Sequence, residues 1–542
     1  MTALATIHSL PPEILSQIFR RHREAGHNMS SAMLVCCRWR QICLQDPRLW
    51  TRISLQTQPE YVPLCLERSK DLPISVVYQR DWSTLAEADE ELFQKLLPHA
   101  RRIEGLSVAS RTEISALQSL PLLRSNLSNL KHLTFCVYLP HVDPAVFPLG
   151  DALSGVHVDY LHISRSWFPF SHEIYNGLRE LELDYLDLSF GDVLGILERS
   201  PQLETLKIID VFDDSDFDSV VGKVVVLNHL RSIEIEEAEY SLRRILFHVQ
   251  FPNNTAWKMN LAVSLGRISG VAHLWRWIPD VDVTGSKPGL LDAFDRCTKV
   301  ELKLGHHLHE ECHAEVTGRT ATGEQCFQLS ARYKFDHGEP YIPIISRAML
   351  QLPAMLRPHS IQNLCIVRAG IEDITFTDWQ TLFEALPLVS QLTFASMDLL
   401  LPKSDEHSLR KYPVDDLFLA LTPGRTSDLN FLLPGLKVLR LFNCGLYGRG
   451  DVVVDCLWER RQFGFLLERL SLYYWRDDSG SSTSLPRWPD VAGDGLVQVL
   501  ERQIVSPTDS TYSQFYIDPT CHHPLPELKY LSDPISLALT SE

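Results

Sequence analysis

A short apolar pattern that recurs along most of the chain constrains the fold more than any other feature. Each copy has the spacing apolar-x-x-apolar-x-apolar, and between residues 103 and 230 the copies begin 20 to 28 residues apart. In an extended strand the last two apolar residues point to the same side. Such a strand repeated at this interval predicts a solenoid, in which each unit buries its apolar face on its neighbours. The copies are Ile103/Leu106/Val108, Leu130/Leu133/Phe135, Val158/Leu161/Ile163, Leu178/Leu181/Leu183, Leu203/Leu206/Ile208, Leu230/Ile233/Ile235, Cys297/Val300/Leu302, Ile361/Leu364/Ile366, Val389/Leu392/Phe394, Leu436/Leu439/Leu441 and Leu467/Leu470/Leu472.

Helical stretches that end at a proline precede several of these strands. Residues 193–197 are followed by Pro201, and residues 378–386 by Pro387, with Asp378 as the expected N-cap. The combination resembles a divergent leucine-rich-repeat array, although the usual Asn after the strand is mostly missing. The intervals on either side of the copy at 297 exceed 60 residues, and residues 250–345 are also compatible with paired antiparallel strands such as 327–329 and 333–335.

We therefore expect an α+β chain whose body is an irregular α/β solenoid, shaped like a horseshoe, with a looser α/β domain as the alternative. In each strand the residue between the last two apolar positions faces away from the buried side. That row is a candidate for binding a client protein, although a solvated face without a ligand fits the pattern equally well. The row contains Ser107, Thr134, His162, Glu182, Lys207, Glu234, Glu301, Cys365, Thr393, Arg440 and Ser471; the client-binding candidates are His162, Glu182, Lys207, Glu234 and Arg440.

Charge and composition narrow the classes of partner. The formal net charge is −17 and the only dense basic run spans residues 20–23, which argues against nucleic acid as the main partner because phosphate binding requires clustered Lys and Arg. No apolar run is long enough to span a membrane, and no signal peptide is apparent. The 12 cysteines form no regular framework, which favours reduced thiols and a cytoplasmic or nuclear location.

The first fifty residues predict a small helical module. Pro11 and Pro12 suit the first turn of a helix, whose apolar stripe then contains Ile14, Leu15 and Ile18 together with Phe19. A second short helix is expected to start near residue 28 or 30, and a third to span residues 36–45, before an apolar anchor at residues 49–50. A core this small is expected to need further stabilisation by packing against the rest of the chain or against a partner.

This module resembles an F-box, particularly the versions found in basidiomycete fungal proteins. The resemblance rests on Leu10-Pro11-Pro12-Glu13-Ile14-Leu15, Ile18-Phe19, Val35-Cys36, Trp39-Arg40 and Pro47-Arg48-Leu49-Trp50. It implies a non-catalytic substrate receptor of a Skp–cullin–F-box ubiquitin ligase, which binds a Skp-type adaptor, reaches cullin through it, and holds an unknown client with its body. By the same resemblance, the adaptor-binding candidates are Leu10, Pro11, Ile14, Leu15, Ile18, Phe19, Val35, Cys36, Trp39, Leu49 and Trp50.

The expected organisation is an F-box at residues 1–54, a helical connection at 55–100, the repeat-like client-binding region at 101–505 and a Pro/Ser-rich tail at 506–542. Two alternatives come from other functional classes. A scaffold would bind the adaptor without directing ubiquitylation, and an enzyme would carry a catalytic site on the α/β body.

Segments that imitate catalytic or metal sites do not change this interpretation. His306, His307, His309, Cys312 and His313 have metal-binding side chains, but no paired Cys-x-x-Cys accompanies them, and a polar loop is the better interpretation. Residues 445–450 are glycine-rich, yet the order of the glycines does not match a dinucleotide-binding loop. Nothing in the sequence combines a nucleophile, a base and an oxyanion site. We therefore expect no metal, no cofactor and no catalysis.

Overall fold

The computed structural model describes residues 7, 10–24, 29–55, 61–79, 87–110, 113–137, 147–149, 152–169, 171–212, 223–252, 254–264, 293–306, 311–334, 349, 352, 356, 360–369, 374–396, 413–423, 431–442, 450–475 and 497–505. The chain divides into two compact units between residues 221 and 222. The predicted fold class is confirmed, since a helical N-terminal module precedes an α/β body that is built on parallel sheet.

Three helices and a short turn form the N-terminal module. They are α1 (Pro12–Glu24), α2 (Met29–Val35) and α3 (Cys37–Gln45), followed by a 3-10 turn at Pro47–Trp50. Pro12 occupies the first helical position, where its missing N–H leaves no hydrogen bond unmade, and Glu13 lies near the positive end of the helix dipole. The sequence placed all three helices correctly to within one or two residues.

The sheet of the N-terminal unit contains seven parallel strands in the order β1-β2-β3-β4-β6-β8-β9. A two-residue pair, β5 with β7, lies outside this sheet. The nine strands are β1 (Arg52–Ser54), β2 (Ile74–Gln79), β3 (Ile103–Ser110), β4 (His132–Val137), β5 (Phe147–Pro148), β6 (Tyr160–Ser164), β7 (Ser166–Trp167), β8 (Glu180–Asp184) and β9 (Thr205–Ile209).

The sheet therefore begins at residue 52 and not at residue 103. Residues 55–100, which the sequence assigns to a connection, supply the whole of β2, and β2 pairs with both β1 and β3. The apolar residues of β2 alternate, with Ile74, Val76 and Tyr78 buried, so β2 packs like the later strands even though it lacks the full repeat pattern.

The sheet of the C-terminal unit contains ten strands in the order β11-β13-β16-β15-β14-β17-β18-β19-β20-β21. All its neighbours are parallel except β15, which is antiparallel to both β14 and β16. A further two-residue pair is formed by β10 and β12. The strands are β10 (Val225–Val226), β11 (Ser232–Glu237), β12 (Val249–Gln250), β13 (Ala256–Ser264), β14 (Lys299–His306), β15 (Glu311–Arg319), β16 (Gln325–Lys334), β17 (Asn363–Ala369), β18 (Gln391–Ser396), β19 (Val438–Phe442), β20 (Leu467–Trp475) and β21 (Val497–Val505).

The antiparallel strand corrects one detail of the sequence prediction. Residues 327–329 and 333–334 lie on the same strand, β16, and do not form two strands of a pair; the antiparallel partner of β16 is β15. Gly318 permits this pairing to pack closely, because a Cβ at that position would overlap the ring of Phe327. Phe327 in turn contacts the buried rings of Trp257 and Phe294.

Helices lie between many of the strands, as a strand-and-helix repeat requires. The N-cap of one helix differs from the sequence prediction. Thr375, and not Asp378, is the N-cap of the helix that starts at Phe376, and Asp378 completes a capping box by accepting the Thr375 N–H at 2.8 Å. The helices are α4 (Tyr61–Arg68), α5 (Glu87–Leu96), α6 (Glu113–Leu123), α7 (Phe190–Arg199), α8 (Glu239–His248), α9 (Phe376–Ala385), α10 (Pro413–Leu421) and α11 (Gly450–Gln462).

Candidate functional site

The N-terminal helices expose a group of large apolar side chains. Ile14 and Ile18 stand one helical turn apart on α1 and are 40% and 41% exposed, whereas Leu34 and Val35 at the end of α2 are 76% and 55% exposed. Soluble proteins rarely concentrate apolar side chains on one small module without a partner that covers them. We call Ile14, Ile18, Leu34 and Val35 the exposed apolar set. The sequence singled out three of these residues and missed Leu34.

The remaining adaptor-binding candidates fall into two classes. Pro11 is exposed, and Leu10, Cys36 and Trp39 are half-buried, so all four remain accessible to a partner. In contrast, four are buried within the protein and act as core residues of the module: Leu15, Phe19, Leu49 and Trp50. Helical spacing predicts the apolar stripe, but it does not separate the residues that the protein covers from those that it leaves open.

Buried contacts hold the three helices in one arrangement. The ring of Phe19 meets that of Trp39 edge-on, with centroids 5.0 Å apart, and Trp50 donates its indole N–H to the carbonyl of Cys43 at 2.8 Å. Arg38 donates to the carbonyl of Leu10 at 2.6 Å, which ties the start of the module to α3. The exposed apolar set therefore projects from a fixed scaffold, which lowers the entropy lost on binding.

Asp46 locks the turn that leads out of the helices. Its carboxylate accepts hydrogen bonds from the Ser16 hydroxyl, from the Arg48 backbone N–H at 3.1 Å and from the Arg48 guanidinium at 2.8 Å. Burial alone would raise the pKa of Asp46, but the hydrogen bonds from Arg48 and Ser16 outweigh burial and lower the pKa below its ordinary value. The carboxylate is thus charged when it joins α1 to the turn after α3.

The module runs into the sheet without a spacer. The 3-10 turn ends at Trp50, Thr51 follows, and β1 begins at Arg52. The guanidinium of Arg23, at the end of α1, donates to the carbonyl of Arg52 at 2.6 Å, and the Arg68 guanidinium of α4 lies over the Trp50 ring. The helices and the first strand therefore form one structure within the N-terminal unit.

In the N-terminal unit, the row of residues predicted to face away from the core is one continuous line across the sheet. Ser107, Thr134, His162, Glu182 and Lys207 are successive Cα partners on β3, β4, β6, β8 and β9. We call the face that carries this row the polar strand face. Its three client-binding candidates are therefore direct cross-strand neighbours.

Polar and charged groups on this face form two clusters. Tyr160 donates to Glu182 Oε1 at 3.1 Å, and Lys207 Nζ lies 3.3 Å from Glu182 Oε2. His162 Nε2 lies 2.8 Å from Asp184 Oδ2, and the Cys136 sulfur lies 3.8 Å from the same ring nitrogen. Burial alone would lower the pKa of His162, but Cys136 and Asp184 beside the ring raise it well above 6.5.

The corresponding row of the C-terminal unit contains the other predicted residues and four that the repeat pattern did not include. The additions come from β13, β16, β15 and β21, which do not carry a repeat copy. In order across the sheet, the row is Glu234, Lys258, Gln328, Thr317, Glu301, Cys365, Thr393, Arg440, Ser471 and Glu501.

Ion pairs between carboxylates and lysines lie in and beside the first half of this row. Glu234 pairs with Lys258 at 2.7 Å. Lys303, two residues after Glu301 on β14, lies 3.6 Å from the Glu301 carboxylate and 3.3 Å from that of Glu315. Arg440 is half-buried on β19, which lies seven strands from β11, the strand of Glu234, in the order of the sheet. The client-binding candidates Glu234 and Arg440 are therefore not adjacent to one another.

The histidine-rich segment lies only partly within the described residues. His306 ends β14 and faces Cys312 on β15, with His313 the next residue, whereas residues 307–310 lie outside the described ranges. Cys312 and His313 are thus strand residues and not part of a loop, which corrects the sequence interpretation. In the described ranges, no group of three or more His, Cys, Asp and Glu side chains is placed to hold a metal ion. Residues 445–449 of the glycine-rich segment also lie outside the described ranges.

None of the helices described here has the length and apolar character that crossing a lipid bilayer requires.

Comparison with known proteins identifies the N-terminal module. Residues 7–56 match the family described as F-box-like, so the resemblance stated from the sequence is confirmed for this part of the chain. No curated protein sequence matches the chain significantly. Among solved structures, the chain is similar to one titled "Crystal structure of Rad7 and Elc1 complex in yeast", at 12% identity and a TM-score of 0.29, over 80% of this chain and 98% of that one.

Proposed function

We propose that this chain, which carries an F-box-like domain at residues 7–56, is the substrate-binding subunit of a Skp–cullin–F-box type ubiquitin ligase. The F-box-like domain binds a Skp-type adaptor, and through it cullin, while the α/β body binds a client protein. The chain supplies proximity and not chemistry: it holds client lysines near the conjugating enzyme that transfers ubiquitin, which raises their effective concentration.

The observation that carries the proposal is the exposed apolar set on a rigid module of the matching family. Four large apolar side chains are 40 to 76% exposed, and covering what remains exposed would contribute about 1–2 kcal/mol for each. Hydrophobic contacts of this size become useful affinity only together, because association itself costs about 4–15 kcal/mol. Pro11, Leu10, Cys36 and Trp39 extend the accessible part of the surface.

The body supports the second half of the proposal in a different way. In each unit the strands present a long row of polar and charged side chains that stand in register, and several of the charges are only partly buried. Such a face offers many anchoring points to an extended or folded client. The client-binding residues that we propose remain His162, Glu182, Lys207, Glu234 and Arg440.

Co-purification tests the proposal. The tagged full-length chain is expressed together with a Skp-type adaptor and cullin, and captured complexes are quantified. A ligase receptor captures adaptor and cullin together in comparable amounts. Capture of the adaptor without cullin would favour the scaffold, and capture of neither by the folded protein would contradict the proposal.

A ubiquitylation assay separates the two remaining possibilities when cullin is present. Proteins that co-purify with the chain under proteasome inhibition are compared before and after addition of ubiquitin and the charged conjugating enzyme. Conjugation that depends on the chain supports a receptor. A complete complex that transfers ubiquitin to none of the captured proteins would favour a regulatory scaffold.

A further inference from the structure

Two residues that the sequence did not single out lie next to each other on the polar strand face. Ser164 on β6 and Asp184 on β8 are direct cross-strand partners, and Cys136 on β4 is the neighbour of Ser164 on the other side. His162 precedes Ser164 by two residues, so its side chain emerges on the same face. The Asp184 carboxylate contacts His162 through one oxygen only.

The second carboxylate oxygen is buried without a hydrogen-bond partner. Ser164 is 1% exposed and Asp184 4% exposed, and neither Asp184 Oδ1 nor Ser164 Oγ has a hydrogen-bond partner in the part of the chain that the structure describes. Glu182 on the same strand differs, since Tyr160 and Lys207 engage both of its oxygens. Buried polar atoms are nearly always satisfied, so a bound group is expected to complete this pair.

The chemistry of the pair selects a cationic N–H donor. An ionised carboxylate oxygen only accepts hydrogen bonds, whereas a serine hydroxyl can do either. Strand β8 places three carboxylates on this face, the exposed Glu180 and the more buried Glu182 and Asp184. Among the described residues, Lys207 pairs with Glu182 and His162 with Asp184. A water molecule would satisfy the hydrogen bonds, whereas a cationic donor would also be attracted by the Asp184 charge.

A guanidinium group fits better than an ammonium group. Its planar fork carries five N–H donors and can reach two acceptors at once, whereas an ammonium is a point charge. Ser164 and Asp184 are partners on adjacent strands, about 4.8 Å apart, a separation at which one planar fork can donate to both side chains.

We propose that Asp184 and Ser164 form a subsite for an arginine side chain of the client, and that His162 pairs with the Asp184 carboxylate while the client is absent. The proposal rests on the proposed function, since it assumes that the body binds a client. The His162 side chain is 15% exposed and covers an Asp184 side chain that is 6% exposed. The arriving guanidinium displaces the imidazole from Oδ2, and it binds Oδ1 and the Ser164 hydroxyl at the same time.

The experiment uses the full-length chain in complex with its adaptor. Random dodecapeptides displayed on phage are selected for binding, and the strongest arginine-containing peptide is compared with its citrulline and lysine analogues by fluorescence polarisation. We expect arginine to be enriched at one position. Citrulline, which keeps the shape but loses the charge, is expected to weaken binding at least tenfold, and lysine to weaken it less.

Variants of the chain identify the subsite. Asp184→Asn is expected to weaken binding of the arginine peptide at least tenfold, and Ser164→Ala is expected to weaken it several-fold. Ser107→Ala, on the same face but three strands away from Asp184, is the matched control and is expected to change affinity less than twofold. Thermal unfolding of each variant separates loss of binding from loss of folding.

Several outcomes would overturn the proposal. The first is a selection that enriches no peptide, or only peptides without arginine. The second is equal binding of the arginine and citrulline peptides. The third is an unchanged affinity for the arginine peptide in the folded variants Asp184→Asn and Ser164→Ala. A buried water at the pair would produce the first or the third of these. Adaptor capture is measured on the same preparations. If the adaptor is retained, only the arginine subsite fails, whereas loss of the adaptor from the wild-type chain contradicts the proposed function itself.

Discussion

Arg23 donates a hydrogen bond from its guanidinium to the backbone carbonyl of Arg52 at 2.6 Å, and this contact joins the first helix of the F-box-like domain to the first strand of the sheet. Arg23 is buried, and only Thr51 separates the last turn of the domain from β1. The F-box-like domain and the sheet that presents the polar strand face are therefore parts of one unit.

Replacement of Arg23 is expected to destabilise the N-terminal unit. Arg23→Ala removes a charged donor from a partly buried hydrogen bond, and losses of this kind cost about 1–3 kcal/mol, or several degrees in thermal midpoint. Arg21→Ala is the matched control, because Arg21 belongs to the same helix but is exposed. Differential scanning fluorimetry measures both. Equal midpoints for the two variants would show that the contact with Arg52 contributes nothing.

Stability should depend on pH through His162. Because its pKa is raised above the ordinary value of 6.5, the protonated ring stabilises the folded state fully below pH 6.5, and this contribution is lost as the pH rises through the higher folded value. The difference in thermal midpoint between wild type and His162→Gln is therefore expected to shrink as the pH is raised above 6.5. Cys136, Asp184, Glu182 and Tyr160 are the other titratable groups nearby.

A direct measurement checks the sign. Histidine ring resonances followed by NMR should give a midpoint for His162 above 6.5, and Asp184→Asn should move it downward, since the variant lacks the charge that favours the protonated ring. A midpoint below 6.5 in the wild type would mean that burial dominates, and the pH dependence would then have the opposite direction.

Gly318 is expected to tolerate no side chain. A Cβ there would overlap the ring carbons of Phe327, which packs against Trp257 and Phe294 and has no room to withdraw. Gly318→Ala should therefore destabilise the C-terminal unit by about 2–3 kcal/mol. Gly435→Ala is the control, since a Cβ at Gly435 meets no atom within 4 Å, and should change stability by less than about 0.5 kcal/mol. Chemical denaturation followed by tryptophan fluorescence compares them.

The sequence predicted the strands that carry a repeat copy, and it predicted the register of the row on the face opposite their apolar residues. This succeeded because side chains alternate with a period of two, so an apolar pair fixes the residue between them on the opposite face. His162 and Glu182 are Cα partners for this reason. Several strands, β2 and β15 among them, carry no copy of the repeat pattern. The alternation of Ile74, Val76 and Tyr78 could have revealed β2, whereas the pairing of β15 depends on contacts remote in sequence.

The functional surfaces were less predictable. The family pattern located the N-terminal helices, but Leu15 and Phe19 share a stripe with Ile14 and Ile18, and only the packing of α1 on α3 and the following turn decides which of them are covered. Asp184 and Ser164 could not be identified as a pair, because their adjacency arises from the pairing of β6 with β8.

The central claim is tested most directly by the affinity of a Skp-type adaptor for the wild-type chain and for Ile14→Asp/Ile18→Asp. Both side chains are exposed, so the folded structure should survive, while two carboxylates in an apolar interface should weaken binding at least a hundredfold. Leu117→Asp, at a residue 45% exposed on α6, is the matched control and should bind like wild type. Binding by the double variant as tight as wild type, or no binding by a folded wild-type chain, would contradict the account.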